Sequence, residues 1–253
     1  MKTSLIIPST NNHFQYVDCI LNHYEKGTVK PDEVIISVSM AHLMDKQYLE
    51  DVVLKYGNSF ESLKIIPHFR KIYEGPNRGE GSKIAQNELL IYQDSDDLPH
   101  PQRIEIIKYF FENYDILHLN HGYNFEERFE KEDIEQVKYK QSNEMFDLYF
   151  PNFKNTEQEK RTRDLRPRKV YDSLGNSLPY GSGFGPEWNI TGGSTAILKN
   201  VLDKINWEWT MDVSYDYDFC MDTLFYFNKS MLINSPLIWY NKIGNMNWAC
   251  NKG

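Results

Sequence analysis

Three carboxylates fall within four residues at Asp94-Ser95-Asp96-Asp97, directly after the apolar run Leu89-Leu90-Ile91-Tyr92 and just before Pro99. Like charges so closely spaced repel one another unless a cation lies among them. A divalent metal meets that need, because Mg²⁺ or Mn²⁺ prefers carboxylate oxygens and bridges readily to substrate phosphates. Asp94, Asp96 and Asp97 are therefore candidate metal ligands. The competing reading is a solvated turn in which Ser95 or Asp97 caps the following helix.

Other stretches could act with this one. Pro8-Ser9-Thr10-Asn11-Asn12 ends an apolar run in a polar turn where a nucleotide could sit. Tyr215-Asp216-Tyr217-Asp218-Phe219 places two carboxylates at a helix start, where such a group can cap the helix. Residues 175–193 set Tyr180, Phe184 and Trp188 among Gly181, Gly183, Gly185, Gly192 and Gly193. Glycine lets backbone approach a ligand closely. The rings either offer a face to a sugar or pin the loop to the core. Tyr180, Trp188, Gly192 and Gly193 are the candidate acceptor-side residues.

These residues need a scaffold, and apolar spacing supplies one. It predicts strands at 4–7, 33–38, 63–66, around Leu90, at 115–120 and at 231–240. It predicts helices at 13–24, 44–56, 102–114, 199–205 and 217–227, with a further helix starting at 82 and running towards 87. The charged stretch 126–140 reads as a surface helix. Strands alternating with helices indicate an α/β fold with a mostly parallel central sheet flanked by helices. With no internal repeat or low-complexity linker, residues 1–253 read as one domain. Ligands of such sheets bind beyond the carboxyl ends of the strands, where the Asp94 cluster would fall.

The net charge of −8 excludes a general nucleic-acid binder. No stretch is apolar for long enough to span a membrane, and the N-terminus enters a strand-like run with no signal-peptide core, so a cytoplasmic location is expected. The three cysteines, Cys19, Cys220 and Cys250, are too far apart for a disulfide framework or zinc site. Lys160, Arg161, Arg163, Arg166, Arg168 and Lys169 form a basic run in this acidic chain. It is either a solvated excursion or a contact for phosphates or an anionic acceptor. Phosphate-loop, dinucleotide-fingerprint and nucleophile-elbow patterns are missing.

The polar turn after the first strand, the stretch from Asn77-Arg78-Gly79 to Asn87 running into Asp94-Ser95-Asp96-Asp97, and the Asp216 segment occur in a telling order. Together they resemble glycosyltransferases of the GT-A fold, most closely the family-2-like group. That group has an N-x-G…A-R-N stretch, a strand ending in D-x-D, and a later E-D pair before a helix. The resemblance runs from Ser4 to about Phe227. It implies a nucleotide-sugar half, 1–97, and an acceptor half, 98–253. Pro8, Ser9, Thr10, Asn11, Arg78, Lys83, Asn87, Asp94 and Ser95 would bind the donor, which the resemblance implies is UDP-linked. Asp94 and Asp96, helped by Asp97, would hold Mn²⁺ or Mg²⁺ against its diphosphate. Asp216, with Asp218 as the other candidate, would be the base of an inverting hexosyl or pentosyl transfer to a glycan, glycolipid or glycoprotein hydroxyl.

The chain departs from the group in three places. Gln86 stands where the group has Arg, so that Arg78 or Lys83 must supply the cation. The second strand, Glu33-Val34-Ile35-Ile36-Ser37-Val38-Ser39, is not followed by the acid that often contacts the nucleotide. Tyr215 replaces the Glu of the E-D pair. The alternatives are a sugar nucleotidyltransferase, which would carry a Gly-rich phosphate loop after the first strand, and a non-catalytic nucleotide- or carbohydrate-binding module on a decayed transferase scaffold.

Overall fold

The structure, a computed structural model, describes residues 1–125, 128–149, 170–171, 177–178, 190–207 and 215–241. The first part alternates β1 (Thr3–Thr10), α1 (Val17–Lys26), β2 (Glu33–Ser39), α2 (Lys46–Tyr56), β3 (Ser62–His68), α3 (Glu74–Ile84) and β4 (Leu89–Tyr92). After β5 (Leu98–Pro99) and α4 (Arg103–Asn113) come β6 (His118–Asn124), β7 (Tyr139–Gln141), α5 (Ser142–Tyr149), β8 (Val170–Tyr171) and β9 (Ser177–Leu178). The chain finishes with β10 (Thr195–Leu198), α6 (Tyr215–Phe227) and β11 (Ser230–Trp239).

Among the described residues, nine strands form one sheet in the order β3-β2-β1-β4-β10-β6-β11-β5, with β7 also paired to β11. The β3-β2-β1-β4 portion is parallel throughout. β10 lies antiparallel between β4 and β6, and β6 and β11 are parallel. Both faces are covered. Leu5 and Ile7 of β1 share one cluster with Leu21, Val52 and Phe110, while Ile6 joins Leu90, Tyr92, Phe219 and Leu224 on the other side. Strands buried on two faces favour unbroken apolar runs, which is how Leu5-Ile6-Ile7 of β1 and Leu89-Leu90-Ile91-Tyr92 of β4 read.

The helix expected from 82 onwards instead occupies Glu74–Ile84. Its Gly and Pro content reads as a loop, yet two of these residues have a structural reason to stand in a helix. Pro76 lies in the first turn, where a backbone N–H has no helical partner. A Cβ on Gly81 would come within 2.7 Å of Ile6 Cγ2, so glycine lets α3 settle onto β1. The surface helix expected over 126–140 does not form in its described part. That part holds a short 3-10 turn at Ile134–Gln136 and β7, whose pairing with β11 overrides the charge pattern. The helix expected over 199–205 is a 3-10 turn at Lys199–Asp203, and β10 and α5 were not foreseen. No helix among the described residues is long and apolar enough to cross a membrane.

Candidate functional site

The carboxyl ends of β1 and β4 meet the start of α3 around a cavity of about 150 Å³. Pro8, Ser9 and Thr10 line one side, Ser95 and Asp96 another, with His13, Glu74 and Asn77 completing it. Asn77 ties the start of α3 to the ends of β1 and β2, its Nδ2 donating to the carbonyls of Ser9 and Ser37 at 3.0 Å each. The turn after β1 and the Asp94 segment, far apart in sequence, thus share one space. Asn11 does not line the cavity. A larger apolar groove of about 670 Å³ runs beside α2 and β3, past Met44, Leu54 and Phe69, but none of the candidate carboxylates lines it.

Behind the cavity, Arg78 gathers carboxylates from three elements. It is fully buried, and its Nη2 donates to Glu74 Oε1 at 2.8 Å and to Asp94 Oδ1. Its Nη1 donates to Asp216 Oδ1 at 3.2 Å. The guanidinium lies over Trp207, 5.2 Å from the ring centroid, and that ring stacks at 3.9 Å on Phe219 of α6. A flat cation between an aromatic face and carboxylates suits arginine rather than lysine.

Two glycines close this arrangement. A Cβ on Gly192 would sit 2.4 Å from both Arg78 Cζ and Asp216 Oδ1, and one on Gly193 would sit 2.5 Å from Asp94 Oδ2. Neither contact can be relieved by a small shift, so both positions require glycine. The Gly192 N–H donates to the Asp216 carboxylate. Asp216 lies inside the first turn of α6 and is not its cap, since the helix begins at Tyr215, two residues before the expected start at 217. Burial lifts the Asp216 carboxyl to about 6 despite the opposing pull of Arg78.

The three clustered aspartates have different surroundings. Asp94 is held by Arg78, though burial still pushes its carboxyl well above the usual range. Asp97 is 1% exposed and turned inward. Its Oδ1 accepts from the Asn241 N–H at 2.9 Å, and its Oδ2 has no partner among the described residues. Burial and the charge of Asp96 raise its carboxyl well above the ordinary value. Asp96 keeps 28% of its side chain exposed at the cavity wall, with His13 Nδ1 4.0 Å away.

Among the described residues, no group of three or more His, Cys, Asp or Glu is placed to hold a metal ion. The described residues therefore present no preformed cage. Of the three aspartates only Asp96 lines the cavity, so it is the one that would offer a carboxylate to a divalent ion, which typically takes one or two carboxylates beside phosphate oxygens.

Sequence reading missed Arg103, a lone arginine on an amphipathic helix. It is fully buried, and every one of its N–H groups has an acceptor. Nε donates to His121 Nε2 at 3.1 Å, and Nη1 donates to the Tyr24 hydroxyl at 2.6 Å and to Gln93 Oε1. Nη2 donates to the carbonyls of Tyr92 and Gly193. Burial and the neighbouring guanidinium keep His121 neutral, as an acceptor must be. Arg103 thereby fixes the Gly192-Gly193 turn against the end of β4. Glu74 and His13 were also unforeseen.

Other candidates lie elsewhere. Lys83 is exposed and paired with Glu80 at 2.7 Å, away from the cavity lining. Asn87 Nδ2 donates to the Thr3 carbonyl at 2.9 Å, at the start of β1 and so at the opposite end of the sheet. Tyr180, Trp188, the basic run from Lys160 to Lys169 and the side chain of Asp218 lie outside the described residues.

No family model and no curated protein matches the sequence. Solved structures do. The chain resembles S. aureus TarS 1–349 at 18% identity and a TM-score of 0.57, covering 94% of this chain and 59% of that one. The same protein in complex with UDP gives 19% identity and a TM-score of 0.57, covering 95% and 60%. Its complex with UDP-GlcNAc gives 18% identity and a TM-score of 0.58, covering 95% and 58%. The chain therefore spans less than two thirds of the length of these neighbours. What the likeness establishes is the architecture: this is an α/β protein of GT-A-like fold.

Proposed function

We propose that the chain is a metal-dependent, family-2-like glycosyltransferase that moves a sugar from a UDP-linked donor to a hydroxyl of a glycan, glycolipid or glycoprotein. The observation that carries this reading is the Asp94–Arg78–Asp216 network beside a cavity walled by both the β1 turn and Asp96. One side of such a site suits a nucleoside diphosphate, and the other offers a base. The fold shared with a protein crystallised with UDP and UDP-GlcNAc supports a UDP-linked donor. In this reading residues 1–97 handle the donor and residues 98–253 the acceptor.

The acceptor hydroxyl gives its proton to Asp216 as its oxygen attacks the anomeric carbon, and the bond to the diphosphate oxygen breaks with inversion. Arg78 orients Asp216 through Nη1 while holding Asp94 through Nη2. A bound Mn²⁺ or Mg²⁺, held from the protein side by Asp96, would neutralise charge on the departing diphosphate. The direct test is calorimetric titration with UDP, with and without Mn²⁺, followed by release of UDP from UDP-sugars. A wild-type protein that binds no UDP under either condition would remove the transferase reading.

Two residues of the cavity carry separate expectations. Asp96→Ala should abolish the gain in UDP affinity that Mn²⁺ provides while leaving the melting temperature nearly unchanged, because the residue is partly exposed. A Mn²⁺ effect that survives the substitution removes Asp96 as the ligand. Glu74 keeps 45% of its side chain exposed at the cavity wall, and in this reading it stands in for the acid missing after β2. Its carboxylate would accept from a ribose hydroxyl. Wild type should prefer UDP over 2′-deoxy-UDP or 3′-deoxy-UDP by about tenfold, the usual worth of a hydrogen bond to a charged group. Glu74→Gln should lose most of that preference, and an unaltered preference would assign ribose recognition to another group.

A further inference from the structure

The sheet parts at the site. β4 and β10 pair as far as Ile91 opposite Ala196, and the ladder between them stops there. Beyond that point Tyr92 still pairs with Ile6 of β1, and Thr195 still pairs with Asn120 of β6. A split therefore opens between β4 and β10 at the carboxyl end of β4, just before Asp94. The Arg103 guanidinium bridges it. Its Nη2 donates to the Tyr92 carbonyl at 2.6 Å on one side and to the Gly193 carbonyl at 2.5 Å on the other. One nitrogen thus stands where the next rung of the ladder would be.

Stability does not explain an arginine here. The side chain is fully buried, and none of its acceptors is a carboxylate: they are His121, the Tyr24 hydroxyl, Gln93 Oε1 and the two carbonyls. Its helix neighbours Ile104, Ile106, Ile107 and Phe110 belong to the apolar core. Burying a charge with no opposite charge in contact is costly, and an apolar residue would avoid that cost. What only a planar fork supplies is a set of donors at fixed spacing. The segments it holds are the ones that carry the chemistry. Gln93, bonded to Nη1, donates through its own Nε2 to the carbonyls of Asp94 and Asp97 at 2.8 Å each. Gly193 follows Gly192, whose N–H donates to Asp216.

We propose that Arg103 is a positioning residue for the transfer reaction: it sets the width of the β4–β10 split, and so the placement of the glycine turn that supports Asp216 relative to the strand that leads into Asp94. This rests on the transferase reading and adds the group that keeps the base and the donor side in register. Arg103 does not line the cavity, so it acts through the Tyr92 and Gly193 carbonyls. A displacement of reacting groups by about 1 Å can cost about 10²-fold in rate.

The test compares Arg103→Lys with Tyr24→Phe. Lysine keeps the charge but lacks the planar fork that serves both carbonyls along with Gln93 and His121. Tyr24 also donates to Gln93 Oε1, at 2.8 Å, so the turn that carries Asp96 keeps its support in Arg103→Lys. Tyr24→Phe removes a buried hydrogen bond, and with it some stability, but leaves the guanidinium on Tyr92 and Gly193. In UDP release from UDP-GlcNAc or UDP-glucose with Mn²⁺, Arg103→Lys should lose about 10²-fold in kcat with KM within about threefold, and Tyr24→Phe should keep kcat within about twofold. Hydrogen exchange at the Gly192 amide, followed by NMR and scaled to global unfolding, should quicken about tenfold more in Arg103→Lys than in Tyr24→Phe. Equal losses of kcat in the two variants, or Gly192 exchange that follows global stability alone, would overturn the proposal. If lysine does not fold there, Arg103→Gln, which avoids burying a charge, takes its place with the same results expected. A wild type that releases no UDP counts against the transferase reading, and Gly192 exchange then decides alone whether Arg103 holds the turn.

Discussion

Asp216→Asn is expected to bind UDP and Mn²⁺ as wild type does and to lose about 10²- to 10⁴-fold in transfer, the usual contribution of a general base. The substitution keeps the shape of the side chain, and its amide oxygen can still accept from the Gly192 N–H and Arg78. What it removes is the ability to take a proton. The wild-type pH profile carries an independent check. Burial lifts this carboxyl to about 6, and a base works only when deprotonated, so transfer should fall as pH drops through about 6 and level off above it. The residual activity of Asp216→Asn should lack that limb. Transfer by Asp216→Asn close to the wild-type rate would move the base elsewhere, and Asp218→Asn would be the next variant to measure.

Much of this site could be read from the chain because its parts obey local rules. A buried parallel strand announces itself by an unbroken apolar run, and the polar residues that end it must lie at the ligand edge. Pro8, Ser9, Thr10, Ser95 and Asp96 followed from that logic, and they line one cavity. Gly192 and Gly193 are legible because glycine permits close approach. Their closest neighbours turned out to be Arg78, Asp94 and Asp216. Residues whose role depends on tertiary partners were out of reach. Nothing in Arg103-Ile104-Glu105-Ile106 says that the arginine points inward to five acceptors from α1, β4, β6 and the Gly193 turn. The α3 helix was placed too late because the glycine that weakens helix propensity at Gly81 is the one that lets the helix pack on Ile6. Asn87 matched a motif position, but the helix ends at Ile84 and leaves Asn87 bracing the start of β1.

Replacing Arg78 should have the largest effect on stability. In Arg78→Met, Asp94 and Asp216 would remain buried with no cation between them, and removal of one partner from a buried ion pair costs about 3–5 kcal/mol. Arg78→Lys should recover little, because an ammonium on a flexible stem cannot reach Glu74, Asp94 and Asp216 from one fork. The pH dependence distinguishes this cause from simple loss of packing against Trp207. Without Arg78, the folded-state values of Asp94 and Asp216 would rise further above the unfolded value near 3.8. A group whose folded value is raised favours the native state when protonated and loses that contribution as pH climbs through the folded value. The deficit of Arg78→Met relative to wild type should therefore be smaller at pH 5 than at pH 8, as read from urea unfolding midpoints with constant m-values. Adding Asp94→Asn should restore part of the stability at pH 8 without restoring transfer. If Arg78→Met is equally destabilised at both pH values, the guanidinium holds the site by packing and not by charge. If it is as stable as wild type, the Asp94–Arg78–Asp216 network is not what holds the site together.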